Sequence, residues 1–159
     1  MVVGKPTSDQ SICTLELQRI CSLSLGRLRR TSQIMDRFGR YALVADDEPL
    51  IRMDVEAILT EAGFQVLTAA GAEEALDILF SRGPEIELLF TDVQMPPGTM
   101  TGYDLARRCA RDMPQIAILV ASGAQRPEPD TLPEGALFLD KPFSPDQVLR
   151  CLSQLLPNC

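Results

Sequence analysis

The chain has no histidine among its 159 residues. That excludes every catalytic triad or dyad built on an imidazole, every metal site with a histidine ligand, and a phosphohistidine on the chain itself. Cysteine occurs five times, at Cys13, Cys21, Cys109, Cys151 and Cys159, yet no two form a CxxC pair and the count is odd. This is the pattern of reduced thiols in a cytosolic protein, not of a disulfide frame or a zinc site. No apolar run reaches bilayer-spanning length. Glu16 and Arg19 interrupt the stretch from Ile12 to Leu25, so no signal peptide is read there. The expectation is a cytoplasmic protein with no membrane partner. Basic residues are outnumbered, 15 Lys and Arg against 22 Asp and Glu, for a net charge of −7. A general nucleic-acid-binding surface is therefore not expected, and the excess negative charge favours solubility.

The length suits one domain and an extension. Residues 1–40 are basic and rich in Ser and Thr, and their apolar residues keep neither a period of two nor of 3.6. They read as a disordered extension, with a partner-binding segment or an added helix as the sharper alternative. From Tyr41 the pattern is regular. Tyr41 to Ala45 reads as a first strand. A helix follows from Pro49, a residue favoured in a helix's first turn, with Ile51, Val55, Ile58, Leu59 and Ala62 on one face and Gly63 as its stop. A second strand is expected over 65–69 and a second helix over 72–82, with Ala72, Ala75, Leu76, Leu79 and Phe80 inward. A third strand is expected over 86–91, followed by a helix with Leu105, Ala106, Cys109 and Ala110 inward. The fourth strand is placed at 116–121 and the fifth at 136–139. Between them Pro127, Pro129 and Pro133 exclude a regular helix and leave room for at most one short turn. Ser144-Pro145 then caps and starts the last helix, with Val148, Leu149, Leu152, Leu155 and Leu156 on its face. This is a strand-helix unit repeated five times with a weakened fourth helix, which predicts right-handed crossovers and a parallel α/β sheet covered on both sides.

Chemistry-bearing residues stand at the carboxyl ends of those strands, where open parallel sheets form their sites. The first strand runs into Asp46-Asp47-Glu48. The third, Leu88-Leu89-Phe90-Thr91, ends in Asp92. The fourth ends in Ser122-Gly123, and the fifth in Asp140-Lys141-Pro142-Phe143. Taken singly these are ordinary: an acidic pair favours a helix N-terminus, an aspartate or Ser-Gly suits a turn, and a lysine is usually solvated. Taken together they would set three carboxylates, a hydroxyl and an ammonium on one edge. Such carboxylates repel, and a hard, oxygen-seeking dication such as Mg²⁺ offsets this. Asp47 and Asp92 are the expected direct ligands, with Asp46 reaching the ion through water. Lys141 and Ser122 beside them suit a phosphoryl group. Asp92 would serve as both ligand and nucleophile, giving an aspartyl-phosphate.

With these motifs in place, residues 41–157 resemble the receiver domain of two-component response regulators. The match rests on Asp46-Asp47 after the first strand, Asp92 in Thr-Asp-Val-Gln-Met-Pro, Ser122 ending the fourth strand, and Lys141 in Asp-Lys-Pro-Phe. The resemblance implies a flavodoxin-like sheet in strand order 2-1-3-4-5. It implies that Asp92 accepts a phosphoryl group from a sensor histidine kinase or a histidine phosphotransfer protein. Asp47, Asp92 and the carbonyl of Gln94 would hold Mg²⁺, and Ser122 and Lys141 would bind the phosphoryl oxygens. Phe138 would act as an aromatic switch moving with Ser122, and the Lys141–Pro142 peptide would be cis. The expected role is a stand-alone receiver that signals to a downstream protein by contact and does not turn over an external substrate.

Two departures accompany the resemblance. Five residues, Pro97 to Thr101, separate Pro96 from Gly102 where most receivers have fewer, and the proline-rich stretch 126–133 replaces much of a typical fourth helix. Three other classes are weighed. A flavin module would need a phosphate-cradling loop after the first strand, where Asp46-Asp47-Glu48 would repel a phosphate. An aspartyl-phosphate phosphatase resembles Asp-x-Asp at the nucleophile, and here Gln94 fills the second position. A pseudo-receiver would keep the fold as an interaction module alone.

Overall fold

Apolar runs such as Ala42-Leu43-Val44-Ala45 and Leu88-Leu89-Phe90 carry no alternating polar face, so a strand made from them must be covered on both sides. The computed structural model describes residues 39–157 except 97, 124–126 and 129. It contains β1 (Tyr41–Ala45), α1 (Pro49–Glu61), β2 (Gln65–Ala69), α2 (Ala72–Arg82), β3 (Ile86–Asp92), α3 (Gly102–Asp112), β4 (Ala117–Ser122), β5 (Leu137–Asp140) and α4 (Pro145–Leu155). The strands form one parallel sheet in the order β2-β1-β3-β4-β5. This is the predicted flavodoxin-like topology. The crossover between β4 and β5 has no helix among its described residues, as its prolines require. The predicted extension over 1–40 lies, but for Gly39 and Arg40, outside the described residues. Arg40 belongs to the folded body: its carbonyl accepts from Gln65 N–H at 2.7 Å, its Nε meets Glu87 at 2.8 Å, and its guanidinium covers the Phe64 ring.

Neighbouring strand residues point to opposite faces and so build two cores. Leu43, Leu89 and Val120 pack with Ala75 and Leu79 of α2 and Leu105 and Cys109 of α3. Val44, Leu88, Phe90 and Leu119 pack with Val55 and Leu59 of α1 and Val148 and Leu152 of α4. Full burial of each large side chain contributes about 1.5–3 kcal/mol. Two predicted inward residues face out: Phe80 is 55% exposed and Leu149 43%. Each lies one residue, about 100° of helix turn, past a buried residue, Leu79 or Val148. Phe80 instead lies under the Arg108 guanidinium, 5.3 Å from the ring centre. Cys109 and Cys151 are free thiols. Burial first, and the Asp112 charge second, push the Cys109 thiol up to about 12, which makes it an inert core residue.

Three strands end later than the sequence predicts. The ladder continues through the pairs Asp92 with Ala121 and Ser122 with Asp140. Asp92 and Ser122 are therefore held by sheet hydrogen bonding. The helix that follows β3 is closed by a capping box: the Thr101 hydroxyl accepts from Asp104 N–H at 3.2 Å, while the Asp104 carboxylate accepts from Thr101 N–H at 3.1 Å and from its hydroxyl at 2.6 Å. The Thr101 bonds, with Arg107 adding to them, hold the Asp104 carboxyl at about 2. A carboxylate with a lowered folded pKa contributes stability above its ordinary value of 3.8, and the contribution is lost as pH falls toward 2. Thr101→Ala should cost about 1 kcal/mol at neutral pH, a loss that shrinks in acid; urea melts at the two pH values check both.

Candidate functional site

The sheet reverses its winding direction at β1, since β2 lies on one side of it and β3 on the other. Crevices form at the carboxyl ends of strands flanking such a switch point. Asp46 follows β1 directly and Asp92 is the last residue of β3, so the two meet there. Asp46 is fully buried and Asp92 only 6% exposed. The Lys141 ammonium, arriving from the end of β5, lies 2.7 Å from Asp46 Oδ2 and 2.7 Å from Asp92 Oδ1. These are charge-assisted hydrogen bonds at short range. Burial works against the ammonium, but the two carboxylates outweigh it and hold the Lys141 pKa above an ordinary lysine.

Backbone donors satisfy the remaining carboxylate oxygens. Glu48 N–H donates to Asp46 Oδ1 at 2.9 Å, and Gln94 N–H donates to Asp92 Oδ2 at 2.8 Å. Both are acids bonding the backbone two residues on, the turn habit of aspartate. Lys141 is held by its own N–H, which donates to the Ser122 carbonyl at 2.8 Å. The Lys141–Pro142 peptide is cis, as the resemblance implies. Ser122 is 3% exposed and stands one residue beyond Ala121, the sheet partner of Asp92. Phe138 is half-buried, faces the α2–α3 core and pairs in register with Val120. Asp47 and Gln94 are exposed.

The structure thus brings Asp46, Asp92 and Lys141 into contact and sets Ser122 on the adjoining strand. Asp47 remains outside this contact. Among the described residues, no three acidic or cysteine side chains stand close enough together to hold a metal ion. The donors are nonetheless of the type a hard dication takes: carboxylates and the Gln94 carbonyl, with no thiol among them. The donor set fits Mg²⁺, and Lys141 shares the oxygens such an ion would use.

Three supporting residues escaped the sequence reading. Arg52, one turn into α1, donates from Nη1 to the Asp46 carbonyl at 2.5 Å. Thr91 is fully buried and its hydroxyl donates to the Asp92 carbonyl at 2.9 Å. Gly102 opens α3 where its N–H reaches the Val93 carbonyl at 2.9 Å, and a Cβ there would overlap the Asp92 carbonyl. Its signal was available, a glycine at a helix start beside a strand end; Arg52 and Thr91 carried none. Because the obstacle is backbone, Gly102→Ala should destabilise the fold by about 3 kcal/mol, read as a lowered urea midpoint with unchanged slope.

Known proteins match this sequence and fold. The family model of the response regulator receiver domain matches residues 42–153. The chain is 31% identical over 121 residues to chemotaxis protein CheY of Thermotoga maritima, covering 74% of this chain and 98% of that protein. It is 32% identical over 121 residues to two-component response regulator ORR7 of rice (Oryza sativa subsp. japonica), covering 73% of this chain but spanning only 56% of that relative's length. Among solved structures, response regulator protein TrrA of Thermotoga maritima in complex with Mg²⁺-BeF superposes with a TM-score of 0.65 at 28% identity, over 74% of this chain and 99% of that one. No described helix is long and apolar enough to cross a membrane.

Proposed function

We propose, from the premise that this chain belongs to the response regulator receiver domain family, that Asp92 is its phosphoacceptor and that phosphorylation changes what the domain binds. The carrying observation is the contact of Lys141 Nζ with both Asp46 and Asp92, 2.7 Å each, at the switch point of the sheet. An Asp92 carboxylate oxygen attacks the phosphorus of a phosphohistidine on a sensor kinase or phosphotransfer protein. The O–P bond forms, the P–N bond breaks, and the imidazole leaves with the electron pair. Water later attacks the same phosphorus and returns the carboxylate. Lys141 holds a phosphoryl oxygen, and in doing so gives up part of its grip on Asp92. Ser122, one residue past the sheet partner of Asp92, offers the second donor, and Phe138 follows Ser122 as the switch. Mg²⁺ would be held by Asp47, Asp92 and the Gln94 carbonyl, with Asp46 acting through water. When bound it supplies positive charge against the phosphoryl oxygens.

The donor protein is expected to approach over α1. Leu50 and Met53 are 67% and 64% exposed there. Beside them a cavity of about 760 Å³ is lined by Ile51, Ile58, Pro142 and Phe143 and reaches Lys141. The described part of the crossover between β4 and β5 lacks a helix, so the change is expected to pass to a protein partner through residues 124–135 or another face.

The competing reading is a pseudo-receiver, which keeps the fold and binds partners without the reaction. Intact mass after incubation with Mg²⁺ and acetyl phosphate separates the two. One added phosphoryl group, absent when EDTA is present, supports the receiver chemistry; no adduct from acetyl phosphate or from a phosphorylated histidine donor supports the pseudo-receiver.

A further inference from the structure

We propose that Glu73 is a positioning residue for the Asp92 site: its carboxylate anchors the middle of the β3–α3 loop and thereby holds Gln94 against Asp92. The inference rests on the reading of Asp92 as phosphoacceptor. The loop is secured at both ends. Val93 N–H donates to the Ala121 carbonyl at 3.2 Å, Gly102 N–H donates to the Val93 carbonyl at 2.9 Å, and Thr101 is locked into the capping box. Gln94, the first residue past Val93, donates its N–H to Asp92 Oδ2. Beyond it Met95 is buried in the core, and past Met95 no described residue before Thr101 is buried, so slack there reaches Asp92 through Met95 and Gln94.

Glu73 takes up that slack. It stands in the first turn of α2, beside Glu74. The two acids divide their work. Glu74 turns back to accept from Ala70 N–H at 2.8 Å, which serves its own helix. Glu73 Oε1 instead accepts from Thr99 N–H at 3.2 Å and Met100 N–H at 3.4 Å, 26 and 27 residues along the chain. Two backbone donors on one carboxylate oxygen make a charge-assisted clamp. The approach is close: a Cβ at Gly98 would overlap the Glu73 carboxylate, so a larger residue would displace it. The clamp grips the segment by which this loop exceeds the usual receiver loop. Without it, residues 98–100 can move, the Gln94 N–H leaves Asp92 for part of the time, and water reaches the phosphoryl group more easily.

The test compares the full chain with Glu73→Ala and Glu73→Gln, since glutamine keeps an acceptor oxygen in the same place. Amide exchange at Thr99 and Met100 is measured first, with neither metal nor phosphoryl donor. Protection should fall about tenfold in Glu73→Ala and be largely restored in Glu73→Gln, with the β4 amides unchanged. The second readout is decay of the aspartyl-phosphate after loading from acetyl phosphate. Decay should be roughly three- to tenfold faster in Glu73→Ala and near wild type in Glu73→Gln. Unchanged protection in Glu73→Ala overturns the anchor, and lost protection with an unchanged decay rate overturns the positioning role. If wild type takes up no phosphoryl group, the phosphoacceptor reading falls and the positioning role with it, while the exchange data still judge the anchor alone.

Discussion

Asp92→Asn should show one intact mass before and after incubation with Mg²⁺ and acetyl phosphate, while wild type gains a single phosphoryl group. The expected effect is complete loss. An amide oxygen is a far weaker nucleophile than a carboxylate, so no alternative path to the O–P bond is available at this position. The fold should survive. Asparagine has nearly the same volume, and its side-chain oxygen can still accept from Gln94 N–H, as Asp92 Oδ2 does at 2.8 Å. Lys141 retains Asp46 as a full charge partner at 2.7 Å. A change in stability of about 1 kcal/mol is expected, of the size of an ordinary exchange of one hydrogen bond. Retained labelling in the variant, with wild-type stoichiometry, would overturn the assignment of Asp92.

Lys141→Ala should lower stability substantially in the absence of metal. It removes the cation between two carboxylates that are 0% and 6% exposed. Deleting one member of a buried ionic contact is costly because the other charges stay behind without compensation, and about 3 kcal/mol is expected here. The pH dependence has a definite sign. In wild type the raised Lys141 pKa means that its contribution is fully present below the ordinary lysine value of 10.5 and is lost as pH rises through the folded value. The deficit of the variant should therefore be full at pH 7 and shrink only as pH rises above the ordinary lysine value. Added Mg²⁺ should stabilise the variant more than wild type, because Lys141 no longer shares the oxygens. Urea melts with and without Mg²⁺ read all three effects. An unchanged midpoint at pH 7 would show that the carboxylates are not held together in solution. Phosphoryl uptake should persist in Lys141→Ala, but phosphorylation-dependent partner binding should be lost; equal binding by the phosphorylated variant and wild type would count against a switching role for Lys141.

The sequence was most legible where local pattern and burial agree. β1 and β2 have the boundaries predicted, and α2 spans the predicted 72–82, because apolar period, Pro49, Gly63 and Gly83-Pro84 mark them independently. Strand ends were less legible. Asp92 and Ser122 prolong their strands because neighbouring strands still offer ladder partners, which a single segment does not reveal. Phe80 and Leu149 show a related limit. Hydrophobic character and helical spacing did not determine which side of a wide stripe is covered, and the position of the adjoining helix left both residues outside.

The sequence by itself determined the family, the strand-helix order, and the set of residues at the strand ends, since apolar runs must be buried and the polar residues that end them mark where each strand leaves the core. Only the tertiary structure decided how those groups share their charge. It buried Asp46 against Lys141 and left its neighbour Asp47 exposed, because consecutive residues past a strand point in different directions and only one can meet a lysine arriving from three strands away. It also tied Glu73 to Thr99 and Met100 across 26 and 27 residues. Contacts of that range depend on how crossovers set one loop against another, and no local spacing records them.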